Sequence, residues 1–354
     1  MKKLSYFLLF AFFVIQTKAQ TTTATPFLLI SSDARAGAMG DVGVATSADA
    51  FSIFHNPAKT AFNQNKVSIG LNYTPWLRNL TDDIFVGNIS YVNRFKENAA
   101  WGVDIKYFSL GEVELTDQDG IGTGTENPSE FAISGIYSMK LSEKFSMGIG
   151  LKYINSNLDI NDSNTKAVNA FAVDISGYYQ SDEQNYGNFN GRYRLGFNIA
   201  NIGPKVEYTP GQENFIPTNA KIGGGFDFVL DSNNIVGLNL EFTKLLVPSN
   251  EASSEKGWID GMFSSFGNTG LKETTWALGS EYLYNNAFAL RAGYFHESES
   301  NGQRQFLTLG TGFKAKAFTL DLSYLINTSA INNPLESTLR FSLSFDLGEI
   351  YDNY

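Results

Sequence analysis

The chain has 354 residues, no cysteine, a formal net charge of −10 and 14% aromatic residues. The acidic balance argues against a nucleic-acid partner, which would need a basic face. The lack of cysteine excludes disulfides and thiolate–metal sites. After the first twenty residues, no apolar run approaches the length of about 18 residues at which a membrane-spanning helix is predicted.

The first element is the run MKKLSYFLLFAFFVIQTKAQ, which has the layout of an export signal: two lysines, an apolar stretch and a small residue at Ala19. We predict that residues 1–19 are a signal peptide that is removed on export. The apolar stretch is shorter than the span of about 20 residues that a bilayer requires. A retained anchor is the alternative.

The second element, within residues 20–66, does not alternate like a strand. Residues 32–58 read SDARAGAMGDVGVATSADAFSIFHNPA and are rich in small residues, which suit close packing against a wall. Asn56-Pro57 is a turn or helix-start signal. If the following strands close into a wide barrel, its own wall side chains do not fill it. We therefore predict a hatch, or plug, at residues 20–66, with a flexible periplasmic tail as the alternative.

From Val67 onwards, apolar and polar side chains alternate in fourteen successive stretches. The last is LRFSLSFDL, residues 339–347, and many stretches end in Tyr, Phe or Trp. A period of two predicts strands with one apolar and one polar face. We predict an all-β fold in which residues 67–348 form a 14-stranded antiparallel transmembrane β-barrel, with residues 349–354 as a C-terminal tail.

The connections between these stretches favour a membrane barrel over a soluble sandwich. They are long after odd-numbered strands and mostly tight after even-numbered ones, with one exception near 181–192. Outer-membrane barrels have short periplasmic turns and long extracellular loops, whereas a sandwich has no reason to sort its loops in this way. We expect the long loops to be extracellular and both chain ends to be periplasmic.

Charged and amide residues occupy the polar face of the predicted strands. In the barrel they would line the lumen, and we expect them to be ordinary solvated positions. They include Asp104, Lys106, Lys152, Asp174, Arg194, Asn198, Asp227, Glu241 and Asp321.

Few residues suggest chemistry. The two histidines, His55 and His296, have no paired histidine or cysteine beside them, and no G-x-S-x-G elbow occurs. The loop at residues 115–126, LTDQDGIGTGTE, has some of the spacing of a calcium loop, but Leu115 stands at the first ligand position. A solvated acidic loop is the favoured interpretation. We expect no catalytic residue, no cofactor and no metal.

The longest connection contains GWIDGMFSSFG, residues 257–267, whose apolar positions follow a helical spacing. Exposed apolar clusters mark binding surfaces, and aromatic residues with Met are common anchors. The predicted partner-binding residues are Trp258, Ile259, Met262, Phe263 and Phe266, with Trp76 of the first long connection on the same rim. Packing of this helix over the barrel mouth is an equal alternative.

The stretch SDARAGAMGDVGVA, residues 32–45, followed by Asn56-Pro57-Ala58, resembles the PorV/PorQ family of the type IX secretion system of Bacteroidetes, whose fold is similar to that of FadL fatty-acid transporters. The resemblance implies a FadL-like barrel in which the matching residues, together with Gly37 from the small-residue pattern, build the hatch. These residues are Ser32, Asp33, Arg35, Gly37, Gly40, Asn56 and Pro57.

The same resemblance implies a non-enzymatic component of the cell outer membrane, in contact with lipid. Its implied partners are secreted cargo proteins, bound through their C-terminal signal domain, a translocon barrel subunit and a surface sortase-like subunit. One alternative is a FadL-like transporter of a hydrophobic small molecule such as a fatty acid. Another is a structural subunit that only seals another pore.

Overall fold

The structure, a computed structural model, describes residues 23–77, 81–117, 119–158, 165–248, 256–266, 273–299, 302–329 and 338–351. The predicted signal peptide lies outside these residues. The described chain contains fourteen long strands, one at each predicted stretch of alternation. They are β1 (Asn65–Pro75), β2 (Ile84–Lys96), β3 (Ala99–Leu110), β4 (Ser129–Lys140), β5 (Phe145–Asn157), β6 (Val168–Gln180), β7 (Asn190–Ile202), β8 (Asn219–Val229), β9 (Asn234–Leu245), β10 (Thr274–Tyr284), β11 (Phe288–His296), β12 (Gln305–Ala315), β13 (Phe318–Asn327) and β14 (Leu339–Ile350).

These strands close into an antiparallel barrel. Each pairs with its neighbours in sequence, and β14 pairs with β1 through partners such as Leu343 and Leu71. A closed sheet leaves no strand edge exposed, so its backbone groups are paired on both sides without help from solvent. The predicted 14-stranded antiparallel barrel is confirmed.

The two faces of the wall differ as predicted. On β3, Trp101 and Ile105 point outward and are 40% and 39% exposed, whereas Asp104 and Lys106 point inward and are buried. An apolar band around a closed sheet is the outer surface of a transmembrane barrel. None of the helices in the described residues is long and apolar enough to cross a membrane.

The two ends of the barrel have different connections. At one end, here called the turn end, the connections are short, apart from residues 181–189. Asn285 and Asn286 form one such turn, both with positive φ (54° and 51°), as a type I′ hairpin turn requires. At the other end, here called the loop end, the long connections carry further elements. These are two hairpins, Val113–Thr116 with Gly122–Glu126 and Val206–Thr209 with Gln212–Asn214, and helix α3 (Trp258–Ser264).

Residues 23–64, here called the N-terminal segment, lie inside the barrel. They form a 3-10 turn (Pro26–Leu29), helix α1 (Ala34–Gly37), helix α2 (Ser52–His55) and a second 3-10 turn (Pro57–Phe62).

The N-terminal segment runs from the loop end to the turn end. Ala24 N donates to Phe215 O (2.9 Å) in a loop-end connection, and Tyr351 N donates to Gln64 O (2.7 Å) at the turn end. We expected both chain ends on the side of the short turns. This does not hold for the first described residues, because Ala24 and Phe27 belong to an apolar cluster beneath the long loops.

The inward charged residues are not solvated positions, contrary to our expectation. Asp104, Arg194, Glu241 and Asp321 are between 3% and 4% exposed. The N-terminal segment lies beside them in the lumen, and these side chains bind the segment or other residues of the barrel wall. An inward polar face thus forms an internal contact surface in this barrel.

Candidate functional site: the N-terminal segment and the loop end

The N-terminal segment approaches the wall where both have small residues. A Cβ built on Gly293 would lie 2.1 Å from Gly40 N, and one on Gly196 would lie 2.2 Å from Val44 O. Such distances exclude any side chain larger than hydrogen at these wall positions. Further inward glycines with the segment against them are Gly70, Gly102, Gly148, Gly223, Gly279 and Gly310.

The predicted glycines of the segment make the same kind of approach from the other side. A Cβ on Gly37 would meet Arg340 Nη1 at 2.3 Å. Gly40 has φ 74°, and a Cβ there would lie 2.8 Å from Tyr294 O. A substitution at Gly40 is therefore unfavourable for both conformational and steric reasons.

Arg35 links the segment to the wall and to itself. Its guanidinium donates to Glu281 on β10 (Nη2–Oε1 2.8 Å, Nε–Oε2 3.0 Å) and to Asp49 of the segment (2.7 Å). It also donates to the backbone and hydroxyl oxygens of Ser47. Burial alone would lower the pKa of Arg35, but Glu281 and Asp49 raise it above its ordinary value, so the side chain stays charged.

The ion-pair network continues into the wall. Arg291 donates to both Glu281 and Asp321 at 2.6 Å. Arg340 on β14 donates to Asp41 of the segment at 2.7 Å. Buried charges with several partners each are costly to separate, since a lost partner leaves an uncompensated charge.

Asp33 and His55 join the two short helices of the segment. Asp33 is the N-cap of α1, where its Oδ2 accepts from Ala36 N (2.8 Å), and its Oδ1 lies 2.6 Å from His55 Nε2. Burial raises the pKa of Asp33, but the hydrogen bond and charge of His55 outweigh this and lower it overall. The neighbouring Ser32 is buried at 2% exposure.

Asn56 and Pro57 end α2 and begin the next turn, as predicted from the dipeptide. Asn56 Oδ1 accepts from Ala58 N, and its Nδ2 donates to Val44 O and to Gly177 O on β6. Pro57 occupies the first turn, where its missing N–H is not needed. All seven residues assigned to the hatch thus lie in the lumen, within one internally bonded segment.

Two further groups hold the middle of the segment. Glu241 Oε2 on β9 accepts from Gly43 N (2.7 Å) and Val44 N (2.9 Å). Lys59 Nζ donates to Gly43 O and Thr46 Oγ1, each at 2.8 Å. Burial lowers the pKa of Lys59 to about 8, although the charge of Asp49 opposes the change.

Helix α3 presents an apolar surface at the loop end. Ile259, Phe263 and Phe266 are 49%, 67% and 55% exposed, whereas Trp258 and Met262 are half-buried. The five predicted residues therefore divide between two adjacent stripes of the helix. The helix rests on the loop end with one stripe and exposes the other, and partner binding by these residues stays a prediction.

The packed side of α3 has a specific seat. A Cβ on Gly261 would lie 2.6 Å from the ring of Phe215 and 3.3 Å from Pro248. Phe266, just past the helix, lies near Lys244, whose Nζ is 6.0 Å from its ring centroid. Trp76 packs against the apolar cluster around Phe27 at the loop end.

The remaining sequence candidates have structural roles. In the acidic loop, Asp117 Oδ1 accepts from Asp119 N and Ile121 N and so closes the hairpin turn. His296 stacks on Trp276, with ring centroids 5.3 Å apart. Among the described residues, no group of three potential metal ligands comes together.

The residues of the barrel wall that line this site were not predicted from the sequence. Glu281, Arg291 and Arg340 were not singled out, and neither were the inward glycines. A local signal existed, since each stands on the polar side of an alternating strand. Their partners could not be identified because they are distant in sequence, 246 residues apart for Arg35 and Glu281.

A closed barrel with an apolar outer band, short turns at one end and long loops at the other belongs to the class of outer-membrane β-barrels. The family model described as type IX secretion system protein PorV matches residues 14–252. The chain belongs to this family and is an outer-membrane component of the type IX secretion system. No curated protein matched the sequence.

Solved structures support the fold. The toluene transporter TbuX of Ralstonia pickettii is 12% identical, with a TM-score of 0.52 over 90% of this chain and 98% of that chain. A FadL homologue of Pseudomonas aeruginosa is 12% identical, with a TM-score of 0.50 over 90% and 99%. The toluene transporter TodX of P. putida is 13% identical, with a TM-score of 0.51 over 90% and 99%. At these identities the likeness shows a FadL-like fold and nothing further.

Proposed function

We propose that this chain binds the C-terminal signal domain of secreted cargo at the translocon and delivers the cargo to the surface sortase-like subunit. In this proposal the loop end is extracellular, and the N-terminal segment is a hatch that keeps the lumen closed. The protein acts by binding and release and has no enzymatic role. Membership of the PorV family supports the secretion setting.

The observation that carries the binding proposal is the exposed stripe of α3. Ile259, Phe263 and Phe266 are large apolar side chains at the loop end, and Phe263 is 67% exposed. On its packed side the helix contacts Phe215 and Pro248 at Gly261, so the stripe is presented by a supported element. Aromatic anchors of this kind dominate the energy of protein interfaces. The helix lies beyond residue 252, where the family match ends, so its role must be tested directly.

The test combines photo-crosslinking in cells with binding in solution. A photoreactive residue at position 263 is expected to capture cargo or a translocon subunit. The same residue at Leu141, a 58% exposed apolar position at the turn end, should capture neither. In solution, Phe263→Asp should weaken binding of a purified cargo signal domain by at least about 10-fold, as expected for loss of an aromatic anchor. Equal capture from both positions, or unchanged binding, would contradict the proposal.

The second candidate is a transporter of a hydrophobic small molecule. It is favoured by the apolar cluster beneath the long loops, which includes Val86, Phe108, Ile154 and Ile216. The chain's own Phe27 occupies this cluster, however, and the segment below it contacts every barrel strand. Transport would require the segment to move. Accumulation of a radiolabelled hydrocarbon in cells that depends on this protein would favour the second candidate.

A further inference from the structure

A short connection at the loop end contacts both helix α3 and the N-terminal segment. It consists of residues 215–218, here called the strap, and joins the second hairpin to β8. Its first residue, Phe215, is 9% exposed, and a Cβ built on Gly261 of α3 would lie 2.6 Å from its ring. The helix and the ring are therefore in direct contact, with no space for a further side chain between them.

The same residue of the strap holds the start of the N-terminal segment. Phe215 O accepts a hydrogen bond from Ala24 N (2.9 Å). The next residue, Ile216, is 1% exposed and belongs to the apolar cluster that contains Ala24 and Phe27. Phe215 thus presents its side chain to α3 and its backbone carbonyl to the segment.

The strap is also bonded to its neighbours at its other end. Thr218 Oγ1 donates to Asn201 O near the end of β7, and Leu246 N donates to Thr218 O, each at 2.7 Å. Leu246 begins the connection that carries α3, and Pro248 of this connection is the second residue against Gly261, at 3.3 Å. Both contacts on the packed side of α3 are therefore linked to the strap. Because a packed contact of this kind leaves little free volume, a shift of the helix is transmitted to the strap.

We propose that the strap couples the position of α3 to the retention of the first residues of the N-terminal segment. Displacement of α3 loosens the hydrogen bond at Ala24, whereas a partner bound to the exposed stripe retains it. The stripe can be bound without lifting the helix, because Phe263 is exposed while Gly261 is in its seat. A ligand that prefers one of two conformations stabilises that conformation, so an occupied rim keeps the loop end of the lumen closed. The effect of a partner rests on the proposed function, but the contacts through the strap do not.

The first test measures how readily the start of the segment opens. The chain has no cysteine, and Thr25 is 1% exposed with an Oγ1 that has no hydrogen-bond partner among the described residues. Thr25→Cys therefore adds a buried reporter without breaking a side-chain bond. Its rate of maleimide labelling in the detergent-solubilised protein is compared between Gly261→Leu, which forces α3 and Phe215 apart, and Gly257→Leu. The latter is the matched control, because a Cβ on Gly257, the N-cap of the same helix, meets only Asp260 Oδ2, at 4.0 Å.

We expect the labelling rate at position 25 to rise at least about 5-fold in Gly261→Leu, as for a coupling of ordinary strength, and to stay unchanged in Gly257→Leu. Phe215→Ala removes the ring and should also raise the rate. When Gly261→Leu and Phe215→Ala are combined, the added side chain occupies the space left by the ring, so the rate should fall below that of either single variant. A cysteine placed at Ser32 instead should respond to none of these changes, which separates local loosening from misfolding.

The second test uses the reciprocity of the coupling. If a partner on α3 retains the segment, loosening the segment must weaken binding of that partner by the same factor. Phe27→Ala removes a side chain that is 1% exposed in the apolar cluster. It should raise labelling at position 25 and weaken binding of a purified cargo signal domain at least about 5-fold. The matched control Phe95→Ala, at a 40% exposed position near the turn end, should do neither.

Two results would overturn the proposal. One is equal labelling at position 25 in Gly261→Leu and Gly257→Leu. The other is unchanged affinity for the signal domain in Phe27→Ala when labelling shows that its segment is loosened. Absence of any binding to the unmodified protein would instead contradict the proposed function, and the labelling rates would then decide the coupling between α3 and the segment on their own.

Discussion

Replacing Arg35 by Met should release the N-terminal segment from the wall without dissolving the barrel. The side chain is 13% exposed and makes ion pairs with Glu281 and Asp49. Removing one partner of a buried ion pair costs about 3–5 kcal/mol. The lower end applies here, because Glu281 keeps Arg291 as a partner, and Asp49 keeps Phe51 N and Ser52 Oγ. We therefore expect a loss of about 3 kcal/mol, or roughly a 100-fold rise in the opening constant of the segment.

The assay uses the lack of cysteine in the chain. A cysteine is placed at Ser32, which is 2% exposed, and its rate of maleimide labelling reports opening of the segment. Lys66→Met is the matched control, because its ion pair with Glu349 lies on the exposed surface. Exposed pairs contribute about 0–1 kcal/mol, so labelling in the control should rise less than about 5-fold.

Two results would refute this reasoning. If labelling in Arg35→Met rises no more than in the control, the buried ion pairs do not hold the segment. If the barrel loses its folded mobility on SDS gels at the same temperature as its segment opens, the segment and the wall form one cooperative unit. Anchoring of a separate hatch would then be the wrong description.

Three further outcomes follow from the same contacts. Gly293→Val should overpack the wall against Gly40 and lower the stability of the detergent-solubilised protein by about 1–3 kcal/mol or more in thermal unfolding. The matched control Gly135→Val should stay near the unmodified protein, since a Cβ at Gly135 meets nothing within 4 Å. The pKa of Lys59 falls from 10.5 in the unfolded chain to about 8 in the folded one. The cost of burying its charge is therefore fully present below pH 8 and disappears as pH rises to 10.5. In urea titrations the free energy of unfolding should increase across that window by about 3 kcal/mol at most, and Lys59→Met should abolish the increase. Glu241→Gln keeps the shape but weakens the acceptor for Gly43 N and Val44 N and unpairs Lys221; amide exchange at residues 43–46 should quicken, whereas unchanged exchange would show that Glu241 does not fix this part of the segment.

The wall could be read from the sequence because its signal is local. Alternation along Trp101–Tyr107 or Leu339–Leu347 needs only neighbouring residues, and each predicted stretch became a strand. The Asn56-Pro57 turn was equally local and formed as predicted. What could not be read was which end of the lumen the segment enters. That depends on Phe27 meeting residues such as Val86 and Ile154, which lie far from it in the chain.

For helix α3, the hydrophobic periodicity of the sequence predicts the helix but not which of its apolar side chains are buried. A spacing of i, i+1, i+4, i+5 and i+8 predicts one broad apolar face, and the helix formed where it was predicted. Whether a face is buried depends on what lies beneath it, here Phe215 from another connection and Pro248 from an earlier part of the same connection. Trp258 and Met262 are half-buried, and Phe263 stays exposed. The sequence alone could place the aromatic residues on the helix, but it could not show which of them pack against the loop end and which stay exposed.

The distribution of contacts in the lumen favours a protein that works at its rim. A route through the barrel would have to separate Arg35 from Glu281, Arg340 from Asp41 and the Gly43–Val44 backbone from Glu241. Each step leaves buried charge or amide groups without partners, and the costs add because the sites lie on different strands. Binding at α3 breaks none of these contacts. Occupation of the loop end is therefore compatible with a closed lumen, whereas passage through it is not.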